Sequence, residues 1–344
     1  MSPSGVSPEH EKWVLPRPHL LFLGDITNPL DAKTAMGLRD WRAEDCLGQL
    51  RLPGCTVDLG LPEFDLEGAR AAGAKSVVMG VAPSGGAIAP GWIATLRRAL
   101  ELGLPVISGL HDRLADHPEL AEAARNNQAQ LIDVRVPPAG LSVATGARRP
   151  GKRLLTVGTD CCVGKKYTAL ALTRALRKAG ASATYRATGQ TGILIAGSGI
   201  PMDAVVADFL SGAAELLSPA NDVDHWDVIE GQGALFHPAY AAVTLGLMHG
   251  SQPDALILCH SADRRVVDEY EAYDIPALSQ CIQHYEAAAA LTNPAARVVG
   301  ISLNTRDLDD AAAEASCEVL QRDTGLPCLD PMRHNLAPFV NALL

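Results

Sequence analysis

The run Gly158-Thr159-Asp160-Cys161-Cys162-Val163-Gly164-Lys165-Lys166-Tyr167 gathers two glycines, two thiols and two ammonium groups into ten residues. The apolar run 154–157 before it reads as a buried strand. After it, Leu170, Ala171, Ala175, Leu176 and Ala179 recur at helical spacing. Strand, glycine loop, Gly-Lys and helix is the layout of an anion cradle. Backbone N–H groups and the positive end of the helix converge on a negative charge, and the lysine adds a point charge. Against the pattern G-x-x-x-x-G-K-[ST], Thr159 stands where the first glycine belongs, and Lys166 stands where the hydroxyl residue belongs. That hydroxyl normally ligates Mg²⁺. Phosphate or pyrophosphate binding is therefore expected ahead of ATP hydrolysis, and Thr168 could supply a hydroxyl only if the helix start shifted. Thiols at helix N-termini ionise more readily, so Cys161 and Cys162 have two readings: a covalent nucleophile, or small residues packed under the loop. The second is the expectation.

Further polar groups fall at the ends of other apolar runs. Asp227-Val-Ile-Glu230-Gly231-Gln232-Gly233 delivers an acid at a strand end, where P-loop proteins face the phosphates or their metal. His237 and Tyr240 follow closely enough to line the same cleft. The run 253–260 ends in His260, with Ser261, Asp263 and Arg264 beyond it; an imidazole and a guanidinium there suit proton transfer or carboxylate recognition. Arg186, Thr188, Gly189, Gln190 and Thr191 fill another strand-end loop, and Arg306 follows the run 297–303. Each also has a plain reading as a turn residue, a structural histidine or a helix cap.

The elements that position these groups read as α/β throughout. Short apolar runs at 18–24, 55–58, 76–79, 105–108 and 130–133 alternate with helical stretches at 34–50, 66–72, 92–102 and 118–127. This is the signature of parallel strands with crossover helices. Pro137-Pro138 and the breaker-rich stretch 145–152 mark a boundary. The expected organisation is a disordered tail over 1–17, a Rossmann-like domain over 18–140, a linker over 141–152 and a P-loop NTPase-like parallel sheet over 153–344. No G-x-G-x-x-G follows the first strand, so dinucleotide binding is not expected. Gly24-Asp25 and 81–86 are secondary ligand candidates at strand ends.

Net charge is −10 with no basic block, which excludes the phosphate neutralisation that non-specific nucleic-acid binding needs. No apolar run is long enough to span a bilayer, and the first residues carry no apolar export signal, so a cytoplasmic location is expected. The eight cysteines form no C-x-x-C pair, which leaves no zinc pattern and reads as reduced thiols. A homo-oligomer is the expected assembly.

The loop Gly158-Thr-Asp-Cys-Cys-Val-Gly-Lys165 and the Glu230-Gly-Gln-Gly233 turn resemble those of dethiobiotin synthetases. Together with Thr188-Gly-Gln-Thr-Gly192, Asp203, Asp208-Phe209, His237-Pro-Ala-Tyr240 and the strand ends at His260 and Thr305, they resemble the DgcN-like D-glutamate N-acetyltransferases over nearly the whole chain. That resemblance implies acetyl transfer from acetyl-CoA to the amine of D-glutamate, a small-molecule acceptor. The loop residues 158–167 would hold the diphosphate of coenzyme A, and Glu230 or His260 would act as base. Arg186, Arg264 or Arg306 would meet the substrate carboxylates. Gln190, Thr191 and His237 would contact substrate. Two rival readings are an ATP- and Mg²⁺-dependent ligase or kinase of the dethiobiotin-synthetase type, and a non-catalytic nucleotide-binding regulator.

Overall fold

The computed structural model describes residues 13–344. The chain divides into two compact units: one runs up to Pro137 and takes in Gly189–Ala204, and the other comprises Pro138–Thr188 and Val205–Leu344.

The first unit is built on β1 (His19–Gly24), β2 (Cys46–Arg51), β3 (Ser76–Met79), β4 (Val106–Ser108) and β5 (Leu131–Asp133). They form one parallel sheet in the order β2-β1-β3-β4-β5. Leu20, Leu21, Phe22 and Leu23 in β1 are all fully buried, as a central strand covered on both faces requires. The helical expectation over 34–50 splits: the helix Lys33–Trp41 ends and 46–51 becomes β2, while 55–58, expected as a strand, lies in a loop. The cause is pairing. Leu20, Leu21 and Phe22 align with Gly48, Gln49 and Leu50, which satisfies the outer edge of β1 and outweighs the local period. Residues 13–17, expected to belong to the tail, pack instead: Leu15 is buried and the Pro16 carbonyl accepts from Ser76 Oγ at 2.8 Å. The rest of the expected tail, 1–12, lies outside the described residues.

The second unit holds β6 (Lys152–Gly158), β7 (Ala183–Arg186), β8 (Trp226–Ile229), β9 (Ala255–Ser261), β12 (Arg297–Asn304) and β13 (Cys328–Leu329). They pair in parallel in the order β13-β12-β9-β6-β8-β7. Strand β6 lies inside the sheet, and Leu154, Leu155, Thr156 and Val157 are buried along it. Between β9 and β12 an antiparallel hairpin, β10 (Val266–Val267) and β11 (Tyr270–Asp274), stands apart from the sheet. The α/β class with two parallel sheets is thus as expected. One assignment differs: the strand-end loop expected at 186–192 becomes a helix from Gln190 to Ala196, and that helix belongs to the first unit. Its residues find partners there. Thr191 Oγ1 lies 3.1 Å from Thr34 Oγ1, and the Ile195 carbonyl accepts from Arg42 Nε at 2.9 Å. Among the described residues no helix is long and apolar enough to cross a membrane.

Candidate active site

The carboxyl ends of β6, β8 and β9 meet around the loop 159–164. Lys165 opens a helix that runs from Lys165 to Lys178, so the loop empties onto a helix N-terminus whose first N–H groups lack intrahelical partners. Cys162 (φ +56°) and Gly164 (φ +103°) turn the chain left-handed. Two glycines let the loop close. A Cβ on Gly158 would fall 2.8 Å from the Asp160 carbonyl and 2.9 Å from Lys165 Nζ. A Cβ on Gly231 would fall 1.7 Å from the Thr156 carbonyl, so the turn after Glu230 can lie against β6 only as glycine. Lys165 is buried and its Nζ donates to the Asp160 carbonyl at 2.7 Å. Lys166 Nζ lies over the Tyr167 ring, 5.3 Å from its centroid.

Asp160 is the organiser of this site. It is fully buried and accepts from the Cys161 amide (2.6 Å), from Arg264 Nη1 (2.8 Å) and from the Asp268 amide (2.8 Å). The last two bonds tie the β10–β11 hairpin to the loop. His237 packs into the same place, with its ring 4.6 Å from Tyr240 and 5.1 Å from Tyr270 of the hairpin. Its Nδ1 accepts from the Ala239 amide at 3.1 Å, which puts the proton of a neutral ring on Nε2. Burial pulls the His237 pKa below the usual imidazole value, with nearby Asp160 pulling the other way. A ring nitrogen of His237, Cys161 Sγ and a carboxylate oxygen of Asp160 all lie within 4.8 Å of one another. Asp160 already receives three N–H donors, one from a guanidinium, which makes the cluster poorly suited to a cation.

The other expected residues have the following partners. Glu230 is at its predicted strand end and buried, with Oε2 accepting from Tyr185 Oη (2.9 Å) and the Thr188 amide (3.0 Å). It clamps the segment leaving β7. His260, at its predicted strand end, is buried. Burial, with Arg265 nearby, lowers its pKa to about 4, and its Nδ1 lies 2.9 Å from Thr159 Oγ1. It holds the loop. Arg264, expected for substrate, is taken up by Asp160 and by the Asp268 carboxylate at 3.2 Å. Arg186 pairs with the buried Asp227 at 2.7 Å. Arg306 is exposed beside Asp307. Gln190 and Thr191 lie in the first unit, where Gly109 makes room for Gln190. Thr168, the fallback for a metal hydroxyl, is fully buried and bonded to the Gly164 carbonyl (3.0 Å) and Ser302 Oγ (2.7 Å).

Two tyrosines of this site carry no sequence signal. Tyr285 reaches from the helix Leu278–Ala290 to donate to the Gly158 carbonyl at 2.6 Å and accept from the Leu235 amide at 2.9 Å. Tyr185 caps Glu230, and burial drives its pKa well above the usual phenol range. The hairpin, too, was unforeseen. A cleft of about 470 Å³ beside it is lined by Arg264, Val266, Val267, Asp268, Glu269 and Glu271, an acidic lining ill matched to a dicarboxylate.

Comparison with known proteins bears on this geometry. Residues 142–340 match the P-loop domain of the DUF1611 domain of unknown function, and residues 50–137 match its Rossmann-like N-terminal domain. The chain is 50% identical over 326 residues to a D-glutamate N-acetyltransferase of Tritonibacter scottomollicae, covering 95% of this chain and 98% of that protein. It is 47% identical over 323 residues to one from a Pseudoalteromonas species, covering 94% and 97%. Its fold is similar to the crystal structure of a DUF1611 family protein from Anabaena variabilis, with a TM-score of 0.86, 33% identity, and coverage of 95% of this chain and 99% of that one.

Proposed function

The chain belongs to the DUF1611 family, and from that membership we propose that it is an N-acetyltransferase that moves an acetyl group from acetyl-CoA to the amine of D-glutamate. The observation that carries the reading is the near-full-length identity to two enzymes of that name, on a site whose loop supplies anion binding without a hydroxyl for Mg²⁺. Lys166 occupies the hydroxyl position and Thr168 is committed inside the fold. An ATP-dependent ligase or kinase needs that metal; acetyl transfer does not.

The loop 158–167 serves the donor, through its diphosphate or through the thioester oxygen on which charge develops during attack. Both are anions suited to backbone N–H groups and a lysine. Of Arg186, Arg264 and Arg306, Arg306 lies closest to solvent and is the candidate for the acceptor carboxylates, and Glu230 supports the site by fixing Thr188. Eight thiols without a disulfide suit a reducing compartment, and we place the enzyme in the cytoplasm.

The deciding experiment follows release of free thiol from acetyl-CoA in the presence of D-glutamate, L-glutamate and D-aspartate, alongside an ADP assay with ATP. Thiol release that depends on D-glutamate is expected. ADP release dependent on an amino acid, with no thiol, would replace this reading by the ligase one.

A further inference from the structure

We propose that Cys161 is a catalytic nucleophile that receives the acetyl group as an enzyme thioester and then passes it to the acceptor amine. The inference rests on the acetyl-transfer reading above and specifies its chemistry. Cys161 Sγ, a His237 ring nitrogen and an Asp160 carboxylate oxygen lie within 4.8 Å of one another. With Nδ1 occupied and the proton on Nε2, His237 stands beside the thiol as a donor and not as its base, so the nucleophile proposed is the cysteine itself. Cys161 is partly exposed, while Asp160 and His237 are buried, so the attacking atom is the member of the group nearest solvent. The thiol sits on the turn that leads into the N-terminus of the helix Lys165–Lys178. Asp160 is fixed by three N–H donors. His237, held between Tyr240 and Tyr270, carries its proton on Nε2 and presents a donor to the developing charge.

The chemistry balances with the two substrates alone. The Cys161 sulfur attacks the acetyl carbonyl of acetyl-CoA. A carbon–sulfur bond to Cys161 forms, the oxygen takes the electron pair, and collapse breaks the bond to coenzyme A. The thiol proton of Cys161 leaves with coenzyme A as its free thiol. The neutral amine of D-glutamate then attacks acetyl-Cys161: the carbon–nitrogen bond forms, the Cys161–carbon bond breaks, and the amine's proton passes to the departing Cys161 sulfur, which restores the thiol. One thioester is exchanged for another in the first half, so that half runs in both directions. The pantetheine arm separates the diphosphate of coenzyme A from its sulfur by far more than the width of the loop. Attack by Cys161 therefore requires the thioester oxygen, and not the diphosphate, at that end of the loop, which is the alternative the Lys165 variant separates.

The full-length protein is incubated with acetyl-CoA and no amine. The expected results are a mass gain of one acetyl group, mapping to Cys161 by peptide analysis, and exchange of isotopically labelled coenzyme A into acetyl-CoA. Added D-glutamate should discharge the label as the N-acetyl product, and initial rates should give the parallel double-reciprocal lines of a two-stage transfer. Cys161→Ala should lose the adduct, the exchange and turnover while Cys55→Ala, a thiol of the first unit, keeps all three. Wild-type turnover with neither adduct nor exchange would overturn the proposal, as would acetyl mapping to another cysteine or turnover in Cys161→Ala. If that variant fails to fold, the wild-type adduct and exchange decide alone. No thiol release even with D-glutamate present would instead remove the acetyl-transfer reading, and the relay with it.

Discussion

Lys165 separates the two uses of the loop. If its ammonium steadies the thioester oxygen, Lys165→Ala should lower kcat by roughly 10²–10³-fold, the range for removing one oxyanion donor, with acetyl-CoA affinity by calorimetry little changed. A diphosphate cradle predicts the reverse: weakened affinity and a spared kcat. Glu230 accepts from the Tyr185 hydroxyl and the Thr188 amide in this site. Glu230→Ala would leave the Tyr185 hydroxyl and the Thr188 amide without their buried acceptor, and should cost on the order of 2–4 kcal/mol in urea unfolding. Two histidines set an acid limit. Burial lowers His19 and His260 to about 4 each, below the unfolded value of about 6.5. The unfolded chain therefore binds their protons first. Their stabilisation is complete above about pH 6.5 and is lost as pH falls toward 4, at on the order of 1 kcal/mol per pH unit for each. His19→Asn should flatten the dependence of unfolding free energy on pH over that window. At this scale the loop, Glu230 and His237 were legible in the sequence because their glycines and strand ends advertise them. The fates of Arg186, Arg264 and His260 were not, because Asp227, Asp160 and Thr159 reach them only through the fold.

At the scale of elements, the β10–β11 hairpin is held to the loop by Asp160 through the Arg264 guanidinium and the Asp268 amide. Asp160→Ala removes both anchors together. Amide exchange across 264–274 should then accelerate by roughly two to four orders of magnitude, since each of the two charge-assisted bonds is worth about 1.5–3 kcal/mol, while β6 and β9 keep their protection. Unchanged exchange in the hairpin would mean that its own two strands suffice. The sequence did not disclose this hairpin because neither short strand has a run long enough to show alternation, and Asp268-Glu269-Tyr270 lacks the glycine of the favoured tight turns. The long parallel strands were readable for the opposite reason: a strand buried on both faces has an unbroken apolar run. β2 escaped because its pairing with β1, a contact distant in sequence, decides its conformation.

Across the whole molecule, both sheets follow from the alternation of apolar runs and helices, and the chain first leaves the first unit after Pro137. What the sequence hid is the return. Gly189–Ala204 joins the first unit, and its residues Ile193, Leu194 and Ile195 are almost wholly buried. Ile193→Ala should therefore destabilise the first unit by roughly 2–5 kcal/mol, although the position lies in the stretch matched by the P-loop family model. In a Trp226→Phe background the remaining tryptophans, Trp13, Trp41 and Trp92, all lie in the first unit and report its unfolding by fluorescence. The same excursion sets an order of events on the ribosome. All five strands of the first sheet have been synthesised some sixty residues before the helix Gln190–Ala196, so the nascent N-terminal half must wait with an unfinished layer while β6, the loop and β7 are made. A stop codon placed at the obvious linker would strand that layer for good.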